Sequence, residues 1–321
     1  MKRSISIVLC LVMVFGVLSA CSGKDDNGLI KVGIINNPPG ESGYREANVK
    51  DFENVFTEEN GYDARTYYND SHNPQLNAAR EFIEAGVEYL LISAASSDGW
   101  DSVLRSAKDA GVRVFMFDRM INTSEDLYEA AVVSDMHFQG ELAVNWLRGE
   151  KLEVYNVIHI QGAMGTDAQI GRTAALDREF ASGTMRKVVQ QSAAWDEVKA
   201  MEIVRSVIES NAEFNVIYAE NDGMAKGAVD ALAEAGISHG VGKDVIIMGF
   251  DANKWALREL LAGNWNYNGQ CSPFQASVID EMIKRLERGE TLSSKKVISE
   301  ERGFDARTIT QSDIDTFGLG D

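Results

Sequence analysis

Short apolar segments alternate with amphipathic segments from residue 29 onward, and this alternation limits the folds open to the chain. The strands predicted in the first run are 31–36, 64–68, 89–93, 112–117 and 130–134. The helices predicted between its first four strands are 44–60, 76–85 and 100–110. A helix between two strands gives a right-handed crossover and places the strands parallel. The pattern therefore predicts an α/β fold built on a parallel sheet.

The same pattern restarts after residue 134. The strands predicted in the second run are 154–161, 187–191, 216–219, 245–249 and 265–270. The helices predicted there are 141–147, 172–180, 198–210, 224–235, 256–262 and 276–288. Two consecutive runs of strand–helix units predict two similar Rossmann-like lobes with parallel sheets, with a boundary near 133–136.

The N-terminus has the features of an export signal. Lys2 and Arg3 precede an apolar run at 5–17, and small residues follow that run. This order predicts a signal peptide at 1–20. The apolar run is too short to be a convincing permanent membrane span.

Residues 18–21 resemble the bacterial lipobox, in which the cysteine becomes the lipidated first residue of the mature protein. The resemblance implies a lipid on Cys21 and a polar tether at 21–28. The alternative is an ordinary secretory signal followed by a chance cysteine. We therefore expect an extracytoplasmic protein that is anchored to the cell membrane through the lipid on Cys21.

Composition and motifs argue against several classes of protein. The formal charge of −18 disfavours nucleic acid as a partner, because phosphate binding needs a basic surface. Cys271 is the cysteine left after the signal peptide and Cys21, so no internal disulfide is expected. We find no phosphate-binding glycine loop, metal-ligand spacing or nucleophile motif, and predict no cofactor, metal or catalytic residue. A paired-carboxylate hydrolase stays open, although no pair of acids stands out.

Residues 112–119 are the segment most suggestive of a site. The run is nearly all apolar up to Phe117 and ends in an acid beside a base, Asp118 and Arg119. Such a strand is typically buried on both faces of a parallel sheet, and ligands bind outside the carboxyl ends of these strands. Asp118 and Arg119 are therefore candidate ligand-binding groups. The alternative is a structural ion pair at a strand end.

Polar side chains and aromatic residues follow the other strands as well. The main ones are Glu41, Ser42, Tyr44, Arg45, Ser93, Arg172, Trp195, Asn221, Asp222, Asp251 and Gln270. Carboxylates accept hydrogen bonds and arginine donates them in pairs, which suits the hydroxyls of a sugar. An aromatic ring can cover the apolar face of a sugar, and Trp195 and Tyr44 are the best candidates. Arg172 is expected to open a helix. For Asp222 and Asp251 the alternative is a helix N-cap and nothing more.

Several of these segments carry a family resemblance. They are Asp118-Arg119 at a strand end, Arg172 after Gln161-Gly162, the helix start at 219–228, Gly249-Phe250-Asp251, and Gln270 before Pro273. Together they resemble the periplasmic sugar-binding proteins of ABC transporters, of the ribose- and galactose-binding type, over about 31–289. Glu41-Ser42-Gly43-Tyr44-Arg45 and Gly99-Trp100 are most similar to the galactofuranose-binding branch.

The resemblance implies the type I periplasmic binding protein fold, with two lobes joined by a three-crossing hinge and a ligand cleft between them. The first lobe would comprise 29–133 plus 271–293, and the second 134–270 plus 294–321. The implied ligand-binding residues are Ser42, Tyr44, Arg45, Ser93, Asp118, Arg119, Arg172, Trp195, Asn221, Asp222, Asp251 and Gln270. Ser93 stands where ribose binders usually carry asparagine, and Tyr44 replaces their loop phenylalanines, so the identity of the sugar stays open.

The resemblance implies a lipid-anchored binding protein, not an enzyme. It would capture a monosaccharide, with a furanose such as galactofuranose as one candidate, and deliver it as a monomer to an ABC import permease. One alternative is a sensor that presents its sugar to a membrane histidine kinase or chemoreceptor. A sugar-responsive transcription regulator is disfavoured, because the signal peptide occupies the place of its DNA-binding domain.

Overall fold

The structure is a computed structural model that describes residues 28–320. The predicted signal peptide at 1–20, Cys21 and nearly all of the predicted tether lie outside the described residues. Within the described range, no helix is long and apolar enough to cross a membrane.

The first half of the chain builds a parallel sheet with helices on both faces. Its strands are β1 (Ile30–Asn36), β2 (Tyr62–Tyr68), β3 (Tyr89–Ile92), β4 (Arg113–Asp118) and β5 (Ala130–Val133). Its helices are α1 (Gly43–Val55), α2 (His72–Glu84) and α3 (Asp101–Asp109). The spatial order is β2-β1-β3-β4-β5, and every pair in it is parallel.

The second half repeats this arrangement. Its strands are β6 (Asn156–Gln161), β7 (Arg186–Ser192), β8 (Val216–Ala219), β9 (Ile246–Asp251) and β10 (Tyr267–Gln270). Its helices are α4 (Met136–Gly149), α5 (Asp167–Ser182), α6 (Glu197–Glu209), α7 (Asp222–Glu234) and α8 (Lys254–Leu261). The order β7-β6-β8-β9-β10 matches that of the first sheet. The prediction of two similar α/β lobes is confirmed.

The C-terminal segment contributes to both lobes. It contains α9 (Ala276–Glu287), β11 (Lys296–Ile298), β12 (Gly303–Asp305) and α10 (Gln311–Phe317). Strand β11 pairs in parallel with β5, whereas β12 pairs antiparallel with β10. The expected boundary at 294 would place β11 in the second lobe. Its hydrogen bonds to β5 instead move the last crossing to the segment between Ile298 and Gly303.

Strand β4 is buried on both faces, as its apolar sequence predicts. Alternate side chains of a strand point to opposite faces of the sheet. Phe115 and Phe117 pack in one core cluster with Phe52 of α1. Val114 and Met116 pack in another cluster, which α2 and α3 cover. Because both faces are closed by helices, the carboxyl ends of the strands are the place where polar side chains can gather.

Helix α5 begins earlier than predicted. The hydroxyl of Thr166 accepts a hydrogen bond from the backbone N–H of Gln169 and caps the helix. Arg172 therefore lies in the second turn of α5, and the prediction that it opens a helix is wrong. Helix α4 also begins about one turn early, with Asp135 as its side-chain cap.

Candidate ligand-binding site

A small cavity lies between the lobes, where strand ends of both sheets meet. The predicted site residues in its wall are Ser42, Tyr44, Asp118, Arg119, Arg172, Trp195, Asn221 and Asp251. The wall also contains residues outside the set that the family resemblance implies, namely Glu41, Met136, Ala168 and Cys271. The predicted residues outside the wall are Arg45, Ser93, Asp222 and Gln270.

The two lobes are closed on this cavity. The backbone N–H of Ser97 donates to the carbonyl of Gly165 across the cleft, at 3.1 Å. The backbone N–H of Met120 donates to the carboxylate of Asp167, at 2.9 Å. At another point, a Cβ on Gly43 would lie 2.0 Å from Oδ1 of Asn253. Glycine at that position therefore permits the close approach of the lobes.

Asp118 is the centre of the first-lobe wall. Its Oδ1 accepts from the hydroxyl of Tyr44 at 2.8 Å. Its Oδ2 accepts from Nη2 of Arg45 at 2.5 Å and from the hydroxyl of Ser93 at 2.8 Å. Burial alone would raise the pKa of Asp118, but Arg45 and Arg119 outweigh it and hold that pKa below its ordinary value. Arg45 and Ser93 thus position Asp118 from behind the wall.

Glu41 holds two arginines of the first lobe together. One carboxylate oxygen accepts from Nε of Arg45 at 3.1 Å and from Nη2 of Arg119 at 3.2 Å. Glu41 is one of the polar residues that the sequence places after β1, although the set implied by the family resemblance does not include it. The first-lobe wall is therefore held by a network of two acids and two arginines, of which Arg45 lies behind the wall.

Arg172 is the arginine that the second lobe contributes to the cavity wall. Its Nε donates to Oε1 of Gln139 at 2.9 Å, and its Nη2 lies 3.5 Å from Oδ1 of Asp251. Its Nη1 donates to the backbone carbonyl of Glu220. The guanidinium also lies over the ring of Phe250, 4.7 Å from the centroid. These partners hold the planar fork in one orientation.

Trp195 lies against a glycine of the same lobe. A Cβ on Gly162 would lie 1.9 Å from Cη2 of Trp195. The ring can therefore take this position only because residue 162 has no side chain. The guanidinium of Arg119 lies 6.0 Å from the centroid of the Trp195 ring, which brings the two lobes together at this point.

Several wall residues have a left-handed backbone. The φ angles of Asp118, Trp195 and Asp251 are 64°, 70° and 106°. Such φ angles are uncommon outside glycine, and each strained residue costs on the order of 1–3 kcal/mol. Strain of this kind persists only where the surrounding structure holds the residue in place.

The neighbouring acids of the second lobe have different roles. Asn221, not Asp222, is the side-chain cap of α7. Asp222 accepts hydrogen bonds from Asn253 and Asn268 behind the wall. Burial raises its pKa to about 7, despite these donors. Asp251 is the last residue of β9 and faces the cavity, and burial raises its pKa as well. The N-cap alternative is therefore wrong for both acids.

The remaining predicted residue, Gln270, ends β10 beside the lobe crossing, and its buried Oε1 has no hydrogen-bond partner. Cys271 follows it in the cavity wall, with its side chain buried. Among the described residues, no group of His, Cys, Asp and Glu is arranged to hold a metal ion.

Comparisons with known proteins add to this geometry. A family model described as the periplasmic binding protein domain matches residues 32–291. The galactofuranose-binding protein YtfQ of Escherichia coli is 29% identical over 231 residues, which cover 70% of this chain and 72% of that protein. The fructose import binding protein FruE of Bifidobacterium longum is 27% identical, over 97% of this chain and 96% of that protein.

Solved structures give similar matches. The crystal structure of a galactofuranose-binding protein superposes with a TM-score of 0.82 at 25% identity, and covers 90% of this chain and 98% of that one. The binding protein of the arabinose ABC transporter from Shewanella, bound to L-arabinofuranose, superposes with a TM-score of 0.79 at 25% identity. That match covers 87% of this chain and 92% of the other.

Proposed function

The chain belongs to the periplasmic binding protein domain family, and we propose that it captures an uncharged monosaccharide between its lobes and delivers it to an ABC import permease. The observation that carries the proposal is a cavity between the lobes whose wall combines acids, arginines and aromatic rings from both lobes. Charged groups make hydrogen bonds to hydroxyls worth roughly 1.5–3 kcal/mol each. A few of them give tight binding of a small polyol.

The charge balance of the site favours a neutral ligand. In the first lobe Arg45 is paired with Asp118 and Arg119 with Glu41, so two acids balance two arginines. A phosphate or carboxylate on the ligand would face these acids and would have to compete with them for the arginines. A sugar hydroxyl accepts and donates at the same time, so it can join the network without separating the pairs.

The ligand we propose is a furanose, such as galactofuranose. The loop from Glu41 to Arg45 resembles the galactofuranose-binding branch, and YtfQ and two of the structural neighbours carry furanose ligands in their names. Tyr44 and Trp195 both line the cavity and offer ring faces for the apolar side of the sugar.

Ring-locked analogues test this proposal. We would clear the purified protein of sugar and measure thermal midpoints with 1,4-anhydro-D-galactitol, a locked furanose ring, and with 1,5-anhydro-D-galactitol, its pyranose counterpart. A ligand at 100 times its Kd adds about 2.7 kcal/mol, which raises the midpoint by several degrees. We expect this shift with the furanose ring. D-Galacturonate and ribose 5-phosphate serve as anionic controls and should give none.

Other outcomes would change the proposal in specific ways. A shift with the pyranose ring alone would refute the furanose assignment and keep the sugar. A shift with an anionic control alone would refute the argument from charge balance. No shift with any compound, including D-ribose and D-fructose, would refute a sugar ligand.

Gly162→Ala should weaken sugar binding, because the new methyl group occupies the place of the Trp195 ring. Overpacking of this kind costs about 1–3 kcal/mol, so we expect affinity to fall about tenfold or more. Titration calorimetry measures the loss. Gly223→Ala is the matched control, since its nearest neighbour atom would lie 3.8 Å from the new Cβ. Equal affinities of the two variants would remove Trp195 from the site.

We propose that Cys21 carries a lipid and that the protein acts outside the cytoplasm as a membrane-anchored monomer. The support is the lipobox-like sequence at 18–21. Metabolic labelling with a radioactive fatty acid should mark the protein and be lost in Cys21→Ser. Equal labelling of both proteins would contradict the assignment.

A further inference from the structure

One carboxylate joins all three connections between the lobes. The first connection contains Ser134, the second contains Ser272, and the third contains Glu301. Oε1 of Glu301 accepts from the hydroxyl of Ser134 at 2.6 Å and from the backbone N–H of Ser272 at 2.8 Å. Rotation of one lobe against the other changes the backbone angles of these connections. The bonds between them therefore depend on the angle between the lobes.

The same carboxylate is linked to the cavity. Oε2 of Glu301 accepts from Nε2 of Gln139 at 2.5 Å, and Oε1 of Gln139 accepts from Nε of Arg172 at 2.9 Å. Arginine can only donate and an ionised carboxylate can only accept. The amide of Gln139 therefore has one orientation that satisfies both neighbours. Gln139 is buried, so water does not replace either partner readily.

We propose that Glu301 is a positioning residue that favours the closed angle of the lobes and, through Gln139, ties that angle to the orientation of Arg172 in the cavity. In the closed structure its carboxylate accepts three hydrogen bonds, two of them from the other two connections. A ligand that fixes Arg172 fixes Gln139 and with it the bond to Glu301. The part of the inference that concerns affinity rests on the proposed function; the part that concerns the lobe angle does not.

Glu301→Gln tests the inference with little change of shape. The glutamine replaces one acceptor oxygen with an NH₂ group. In one orientation this group faces the hydroxyl of Ser134 and the backbone N–H of Ser272, and in the other it faces the NH₂ of Gln139. In each orientation a donor therefore faces a donor. Glu300→Gln is the matched control, because it removes the same charge from the adjacent, exposed residue. Small-angle X-ray scattering of the purified, sugar-free protein reports the lobe angle through the radius of gyration.

We expect sugar-free Glu301→Gln to have a larger radius of gyration than wild type and Glu300→Gln. With saturating 1,4-anhydro-D-galactitol the three proteins should agree. If the closed fraction falls tenfold, the apparent Kd rises about tenfold, which calorimetry would measure. A thermal midpoint near that of wild type would separate this effect from a general loss of stability.

A radius and an affinity equal to those of Glu300→Gln would overturn the inference. If Glu301→Gln does not fold, Ser134→Ala removes one donor and keeps the carboxylate, and a wild-type radius in that variant would overturn it as well. The sugar-free scattering result requires no ligand. It therefore decides the lobe-angle claim even if the anhydro sugar fails to bind, which is the outcome that counts against the proposed function.

Discussion

Asp118→Asn will lower the free energy of unfolding by about 3–5 kcal/mol, because removing one partner from a buried ion pair usually costs this much. The same substitution will abolish measurable sugar binding. The carboxylate accepts from Tyr44, Arg45 and Ser93, and without its charge Arg45 loses a partner at 2.5 Å. Asparagine keeps the size of the side chain and tolerates the φ of 64° better than alanine. The variant therefore tests the charge and not the backbone.

Urea unfolding at several pH values measures the effect and provides a check on its cause. The pKa of Asp118 is lowered in the folded protein, so its contribution is present above the ordinary value of 3.8 and is lost as the pH falls through the folded pKa. The difference between wild type and Asp118→Asn should be full at neutral pH and shrink below about pH 4. A difference that does not depend on pH would mean that packing, not charge, explains the loss.

Arg172→Lys will weaken sugar binding by at least about 100-fold, or roughly 2.7 kcal/mol. Arg172 contacts Gln139, the carbonyl of Glu220 and Asp251 through three different nitrogens. A lysine ammonium is a single point charge and cannot reach all three partners at once. The partners it leaves are buried, so we also expect a loss of about 1–3 kcal/mol in the free energy of unfolding.

Calorimetry and urea unfolding measure both effects of the Arg172 substitution. Arg178→Lys is the matched control, because it makes the same exchange on the same helix at a side chain that is 57% exposed. We expect that control to resemble wild type in both measurements. Binding by Arg172→Lys within twofold of wild type would exclude Arg172 from ligand recognition.

Much of the fold could be predicted from local sequence. Strand β8, Val216–Ala219, is predicted with the same bounds that the structure shows. A short apolar run between two helical segments indicates a buried strand in an α/β chain. Strands β11 and β12 were not predicted. Each has three residues and is partly exposed, so neither carries an apolar run. Their existence depends on pairing with strands that lie far away in the sequence, which periodicity does not report.

The sequence predicts where the site lies in the fold more reliably than it predicts which side chains line the cavity. The rule that ligands bind at the carboxyl ends of strands identified Asp118, Arg119 and Asp251, which line the cavity. The rule does not say whether a polar side chain faces the cavity or supports it from behind. Ser93 and Asp222 are of the second kind, because neighbouring side chains already take up their hydrogen bonds.

The position of β11 has a consequence for the order of folding. Strand β5 lies at residues 130–133, but its outer neighbour in the first sheet comes from residues 296–298. The first sheet therefore stays incomplete during synthesis until nearly the whole chain has been made. Contacts between such distant segments slow folding, and the unpaired edge of β5 can associate with other chains in the meantime. C-terminal truncations that remove β11 should thus cause aggregation, even though the lost segment contains no residue of the cavity wall.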